Sequence, residues 1–155
     1  MTQVYDILDK VKDKLLEHPS VNTVTTGDLS DVDLTKTTIF PLTHLILKNA
    51  RIGARTISFD LDIISMDVVD QSNTISNFDM FYGNDNTQDI LNTQLNVITS
   101  VHAHLNRGGL WNNRLQADGE MSAEPFLERF ENVLAGWEAS VSIELPNGLN
   151  ICQNG

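Results

Sequence analysis

Asp60-Leu61-Asp62 is the most suggestive spacing in the chain. Alternate residues of a β-strand share a face, so two carboxylates there could meet a hard cation. A full oxygen shell needs further donors that this spacing does not place, and a solvated or interfacial acidic face is the simpler expectation. His102-Ala103-His104 offers two imidazoles, but positions i and i+2 diverge on a helix. Capping, packing or surface hydrogen bonds account for them without a metal. Cys152 is the sole cysteine and has no histidine signature beside it, which points to a buried or incidental thiol. No Gly-x-Ser-x-Gly elbow, Gly-x-Gly-x-x-Gly fingerprint or Walker loop occurs, and Gly108-Gly109 is explained by helix termination. Arg51, Arg55 and Arg107 are too scattered to read as a phosphate site, and salt bridges to the acidic excess suit them better. Neither a catalytic residue, nor a metal ligand, nor a cofactor site is expected.

The composition narrows the partners. The 155 residues favour one domain with one sizeable core, spanning residues 1–155. A hydrophobic share of 41% with 20% charged residues suits a folded chain, and 6% aromatics disfavours a base-stacking surface. Ten Lys+Arg against twenty-one Asp+Glu give a net charge of -11, which repels DNA and anionic lipid on average. That sign excludes gripping DNA, not standing near it, since a channel that must pass DNA without retaining it benefits from acidic walls. One cysteine fits a reducing compartment, and no apolar run approaches a membrane span or a signal segment.

The elements follow from periodicity. Val4, Leu8, Val11 and Leu15, widened by Ile7 and Leu16, predict an amphipathic helix over 3–17, with Thr2 as cap and His18-Pro19 as stop. Val21 to Thr26 reads as a short strand before Gly27-Asp28, and Leu29 to Thr38 as an ordered loop or an arm reaching a neighbour. A buried or interfacial strand starts after Pro41, with the hairpin connection in Lys48 to Ala54. Arg51 to Asp70 carries the longest β signal, and its apolar parity switches at Ile63-Ile64. Either a β-bulge restores one buried face, or the two ends bury opposite faces and need a second partner surface, which another subunit could supply.

Gln71 to Asn86 reads as a long connection. Leu91, Leu95, Ile98, Val101 and Leu105 predict a helix over 87–107, on the order of 30 Å long, capped by Asn86 or Thr87. Residues 110–123 suggest a hairpin or loop, and Glu124 to Glu131 a short helix opened by Pro125. Trp137, Ala139, Val141, Ile143 and Leu145 alternate with polar residues in a final core strand, after which Pro146-Asn147-Gly148 turns the chain toward a short segment ending at Cys152. The order predicts an α+β fold: a mainly antiparallel sheet with the N-terminal helix and one long helix packed on one face.

Three segments, taken in order, carry a resemblance: Val21-Asn-Thr-Val-Thr-Thr-Gly-Asp28, Ile39-Phe-Pro-Leu-Thr-His44 and Val133-Leu-Ala-Gly-Trp-Glu-Ala-Ser-Val-Ser-Ile-Glu-Leu-Pro146. They resemble the small tail terminator, or tail completion, proteins of long-tailed bacteriophages. The likeness runs from the first helix to Pro146 and is weakest over residues 108–123. It implies a virion protein of the tail or neck, assembled in the host cytoplasm. Such a protein forms a homo-oligomeric ring, usually a hexamer, on the finished tail tube, ends tube polymerisation and offers a surface to the head connector, while DNA passes without specific binding. No catalytic residue is implied. At segment level, the candidate subunit or partner contacts are Asp31, Asp33 and Lys36 in the arm, Phe40 and Leu42 beside Pro41, and Ile64, Met66 and Val68 on the second face of the long strand. The alternatives are another neck protein (head-completion or stopper), a small metal-dependent enzyme using Asp60, Asp62 and a histidine, and a monomeric module binding through the 28–38 arm.

Overall fold

The computed structural model describes residues 3–28, 37–69, 87–106, 116–117, 120–129 and 133–146. The elements are α1 (Gln3–Leu16), β1 (Thr23–Thr26), a one-turn 3-10 helix (Thr37–Ile39), β2 (Leu42–Ile52), β3 (Thr56–Val68), α2 (Thr87–Asn106), β4 (Gln116–Ala117), β5 (Ser122–Arg129) and β6 (Val133–Pro146). The strands lie in the order β1-β2-β3-β6, with β4 and β5 end to end along the far side of β6. Among the described residues only β1 against β2 is parallel; the other pairings are antiparallel. The fold is α+β, as the periodicity predicts.

Alternation sorts the sheet into two faces. On one face Leu45, Phe59, Leu61, Ile63, Ala139, Val141 and Ile143 pack with Ile7, Val11 and Leu15 of α1 and Val97, Ile98, Val101 and Leu105 of α2. This is the main core, and both helices lie against it. Ile98, Val101 and Leu105 of α2 are buried as expected, but toward its start the buried positions are Ile90, Gln94 and Val97, while Leu95 is exposed. Gln94 is polar, yet its Oε1 accepts from the buried Ser65 hydroxyl at 2.5 Å, and Thr43 stands 3.5 Å from the same hydroxyl. Trp137 faces the helices as expected but is only half-buried; its indole N–H donates to the Leu91 carbonyl at 2.7 Å, which keeps one ring edge near the surface.

The parity switch in β3 is real, and no bulge removes it. Its pairing with β6 runs without interruption from Thr56↔Pro146 to Val68↔Leu134. Phe59, Leu61 and Ile63 therefore serve the helix side, while Ile64 and Met66 enter a second apolar cluster on the opposite face with Phe40, Leu42 and Leu134. Ile39, Ile46, Val68 and Phe126 pack around that cluster. Leu42 is 0% and Met66 1% exposed, so these side chains are withdrawn from solvent within one chain. The second face that sequence assigns to a neighbouring subunit is thus filled by the chain itself at Phe40, Leu42, Ile64 and Met66, each side chain of this size contributing about 1.5–3 kcal/mol. Among the described strands the one register shift lies in β2, between Leu47 and Asn49, which leaves Lys48 as the extra residue.

Two further expectations are corrected. β2 continues through Ile52, so the hairpin connection is the short stretch 53–55 rather than Lys48 to Ala54. Gly53 closes it by donating its N–H to the Thr56 carbonyl at 2.8 Å. The segment around Pro125 is strand, not helix: β5 pairs with β6 from Ser122↔Ser140 to Arg129↔Val133. The second edge of β6 needs a partner, and that demand outweighs the preference of proline for a helix start. Proline is tolerated because β5 lies at the sheet margin. Gly136 lies within β6. A Cβ there would run into the Ser65 carbonyl oxygen and come 2.8 Å from the Met66 Cα, so only glycine lets β3 and β6 approach this closely. Asp31, Asp33 and Lys36 lie outside the described residues, as do the connection 71–86 and the turn after Pro146.

Val141 being buried on one face of the β3/β6 pair and Met66 on the other, Val141→Asp and Met66→Asp should each prevent soluble folding, because an unpaired buried charge is expensive. Exposed Glu138→Lys should change stability by no more than about 0.5 kcal/mol. Denaturant melts followed by circular dichroism measure all three; a folded Met66→Asp protein would show that the second cluster tolerates opening.

Candidate functional site on the open sheet face

The half of the sheet face beyond the second cluster is polar. Here β3 supplies Asp60 and Asp62, β6 supplies Ser140 and Ser142, and β2 supplies Lys48 and Arg51. Strand register brings them together, Asp62 standing across from Ser140 and Asp60 from Ser142. The Lys48 ammonium lies 2.9 Å from Asp62, and the Ser140 hydroxyl donates to the same carboxylate at 2.7 Å. Arg51 reaches Asp60 at 3.3 Å and Ser142 at 3.1 Å, while Ser142 donates to Asp60 at 2.5 Å. Lys48, Asp60, Asp62, Ser140 and Ser142, with Glu120, border an open depression of about 250 Å³.

The two carboxylates do share one strand face, as their spacing predicts, but each is already engaged by one cation and one hydroxyl. Asp62 is the more enclosed, its side chain 4% exposed against 30% for Asp60. The arrangement ties three strands together: β2 through its cations, β3 through its carboxylates, β6 through its hydroxyls. The bulge at Lys48 was not legible in sequence; the signal that could have found the network is the shared outward parity of Lys48, Asp60, Asp62, Ser140 and Ser142.

The histidines are elsewhere. His102 and His104 lie on α2, which packs on the other face, so the structure separates them from Asp60 and Asp62. His104 acts electrostatically on Glu17 beyond the end of α1, whose carboxyl is held below its ordinary range mainly by the hydrogen bond from Lys14. The histidine that shares the carboxylates' face, His44, is fully buried and turned toward β1. Its Nε2 donates to the Gly27 carbonyl at 2.9 Å, which leaves Nδ1 to accept from the Thr25 hydroxyl at 2.7 Å. Gly27 presents that carbonyl from a φ of 101°, in the region that favours glycine. His44 fastens the parallel strand β1 to β2, a role that sequence reasoning did not assign. Among the described residues no group of three or more His, Cys, Asp or Glu side chains is placed to share a metal ion. No helix among them is long and apolar enough to cross a membrane.

No protein-family model matches the sequence, and comparison with curated proteins finds no match.

Lys48 is held above its ordinary range, first by its hydrogen bond to Asp62 and then by the charge of that carboxylate. A raised lysine contributes stability that is complete below its unfolded value near 10.5 and lost as pH rises through the higher folded value. Lys48→Met should therefore melt at lower temperature than the parent at pH 7, and the gap should close above pH 10.5, measured by thermal melts. An undiminished gap in strong alkali would mean the lysine acts through packing alone.

Asp67, near the end of β3, is raised as well, but because its surroundings disfavour its charged form. Burial raises its carboxyl, and the 2.7 Å hydrogen bond from the Val68 N–H only partly offsets this. A raised carboxyl favours the folded state most when protonated, so that contribution fades as pH rises from 3.8 through the folded value. Asp67→Asn, which keeps an acceptor for Val68, should raise the melting temperature at pH 7 and lose its advantage toward pH 3.8.

Proposed function

We propose that this chain is a structural protein of a long-tailed phage, a tail terminator that forms a ring on the tail tube, ends its polymerisation and joins the tail to the head connector. The observation that carries this is the convergence of the three segments bearing the resemblance. Thr23 to Thr26 pairs with Leu42 to Leu45, and Val133 to Pro146 lies one strand away across β3, so segments far apart in the chain build one continuous sheet. A shared motif set scattered over unrelated surfaces would support the assignment much less. The chemistry of the open face favours the same side, because Asp60 and Asp62 hold strands together through Lys48, Arg51, Ser140 and Ser142.

The net charge of -11 suits a ring around passing DNA, repelling the phosphates it encloses. Ring formation needs a heterologous contact that closes by rotation, with one end of the ring matched to the last tube subunits and the other to the connector. Removing the protein removes both matches at once. A phage lacking this gene should yield filled heads separate from tails, with tails of abnormal length, by negative-stain electron microscopy of lysates. Normal-length tails attached to heads would rule the assignment out.

A further inference from the structure

Opposite margins of the sheet carry unmatched charges of opposite sign. β1 covers β2 only as far as Leu45, so from Lys48 to Ile52 the β2–β3 hairpin continues past that neighbour with its side chains exposed. At the tip Ile52 is 78% exposed. A single exposed apolar residue means little by itself. Its neighbours are basic, however, in a chain with ten Lys+Arg against twenty-one Asp+Glu. Lys48 and Arg51 are paired with Asp62 and Asp60. Arg55 is exposed and has no ionic or hydrogen-bond partner among the described residues.

At the other margin, Glu124 of β5 stands directly across from Glu138 of β6, both exposed on the face away from the helices. Like charges facing each other across a strand pair repel. Neither carboxylate has an ion pair or hydrogen bond among the described residues; Lys48 senses Glu138 but is bonded to Asp62. Phe126, half-buried on the same face, lies next in line along β5. Pro125 removes one backbone donor from this marginal strand, which disfavours pairing by strand addition and leaves side-chain docking.

We propose that the β2–β3 hairpin tip of one copy docks on the Glu124–Glu138 strip of a second copy, with Arg55 between the two carboxylates and Ile52 against the open side of Phe126. The partner is a second copy because the chain carries both halves of the complementarity: an unmatched cation beside an apolar tip, and an unmatched pair of anions beside an aromatic ring. Donor and acceptor surfaces differ, so the contact is head-to-tail and repeats. Its closure into a ring rests on the terminator reading; the contact itself does not.

The test is sedimentation velocity of the purified full chain over a concentration series, for the parent, Arg55→Glu, Glu124→Arg, Ile52→Ser and the double charge swap. The parent should associate, each single charge reversal should weaken association about tenfold, and the double swap should recover most of the loss. Ile52→Ser should also weaken it, and 1 M salt should weaken the parent through a Debye length of about 3 Å. All substituted positions are exposed, and circular dichroism verifies that the variants remain folded. A parent that stays monomeric at every concentration, single reversals without effect, or a double swap no better than the singles would each overturn the contact. A closed ring persisting in both single variants removes this contact and leaves the terminator reading standing. Association that obeys the charge swap but grows without closing retains the contact and removes the ring.

Discussion

Everything in this structure depends on β3 being covered on both sides. Its helix-side residues Phe59, Leu61 and Ile63 and its opposite-side residues Ile64 and Met66 cannot all be buried by one layer of helices. The chain meets that demand by flanking β3 with long strands, β2 and β6, which extend both faces at once. The helices then close one face. On the other, Phe40, Leu42 and Leu134 gather around Met66, while the rest of that face stays polar and is held by ion pairs and serine hydroxyls. Gly136 belongs to the same constraint, since a side chain there would push β6 away from β3 beside Ser65 and Met66.

Most of the helix-side architecture was readable from spacing. α1, β3, α2 and the core part of β6 follow from local periodicity, because each buries a stripe that repeats within itself. Ile98, Val101 and Leu105 of α2 follow the spacing, but its first turns do not, since Gln94 breaks the apolar stripe and its burial depends on Ser65, which no local pattern reveals. β5 was missed for a similar reason. Its residues become a strand because β6 offers a vacant edge, and a proline that suggests a helix start locally is harmless at a margin. The parallel placement of β1 was invisible as well, being fixed by the His44 contacts to Thr25 and Gly27 across the sheet.

The candidate site was half legible. The shared face of Asp60 and Asp62 is a consequence of strand geometry alone, and so is the divergence of His102 and His104 on a helix. What occupies the carboxylates depends on a one-residue bulge at Lys48 and on strands distant in sequence, so it required the structure. The interface residues taken from the two-sided strand divide in the same way. The parity switch was right, whereas the covering surface came from the same chain at Phe40, Leu42 and Leu134.

The central pairing also joins distant parts of the chain: Ser58 and Glu144, which meet across β3 and β6, are 86 positions apart. Contacts this remote are slow to form, since a long loop must close before any packing rewards it. On a ribosome adding roughly 5–20 residues per second, β3 emerges about 4–17 seconds before its partner is complete. During that interval the β2–β3 hairpin stands with apolar residues on both faces and an unpaired edge, the combination that promotes aggregation of nascent chains. The polar residues that alternate along half of β3, Ser58, Asp60 and Asp62, act in that window as gatekeepers, keeping one side of the waiting strand hydrated until β6 arrives.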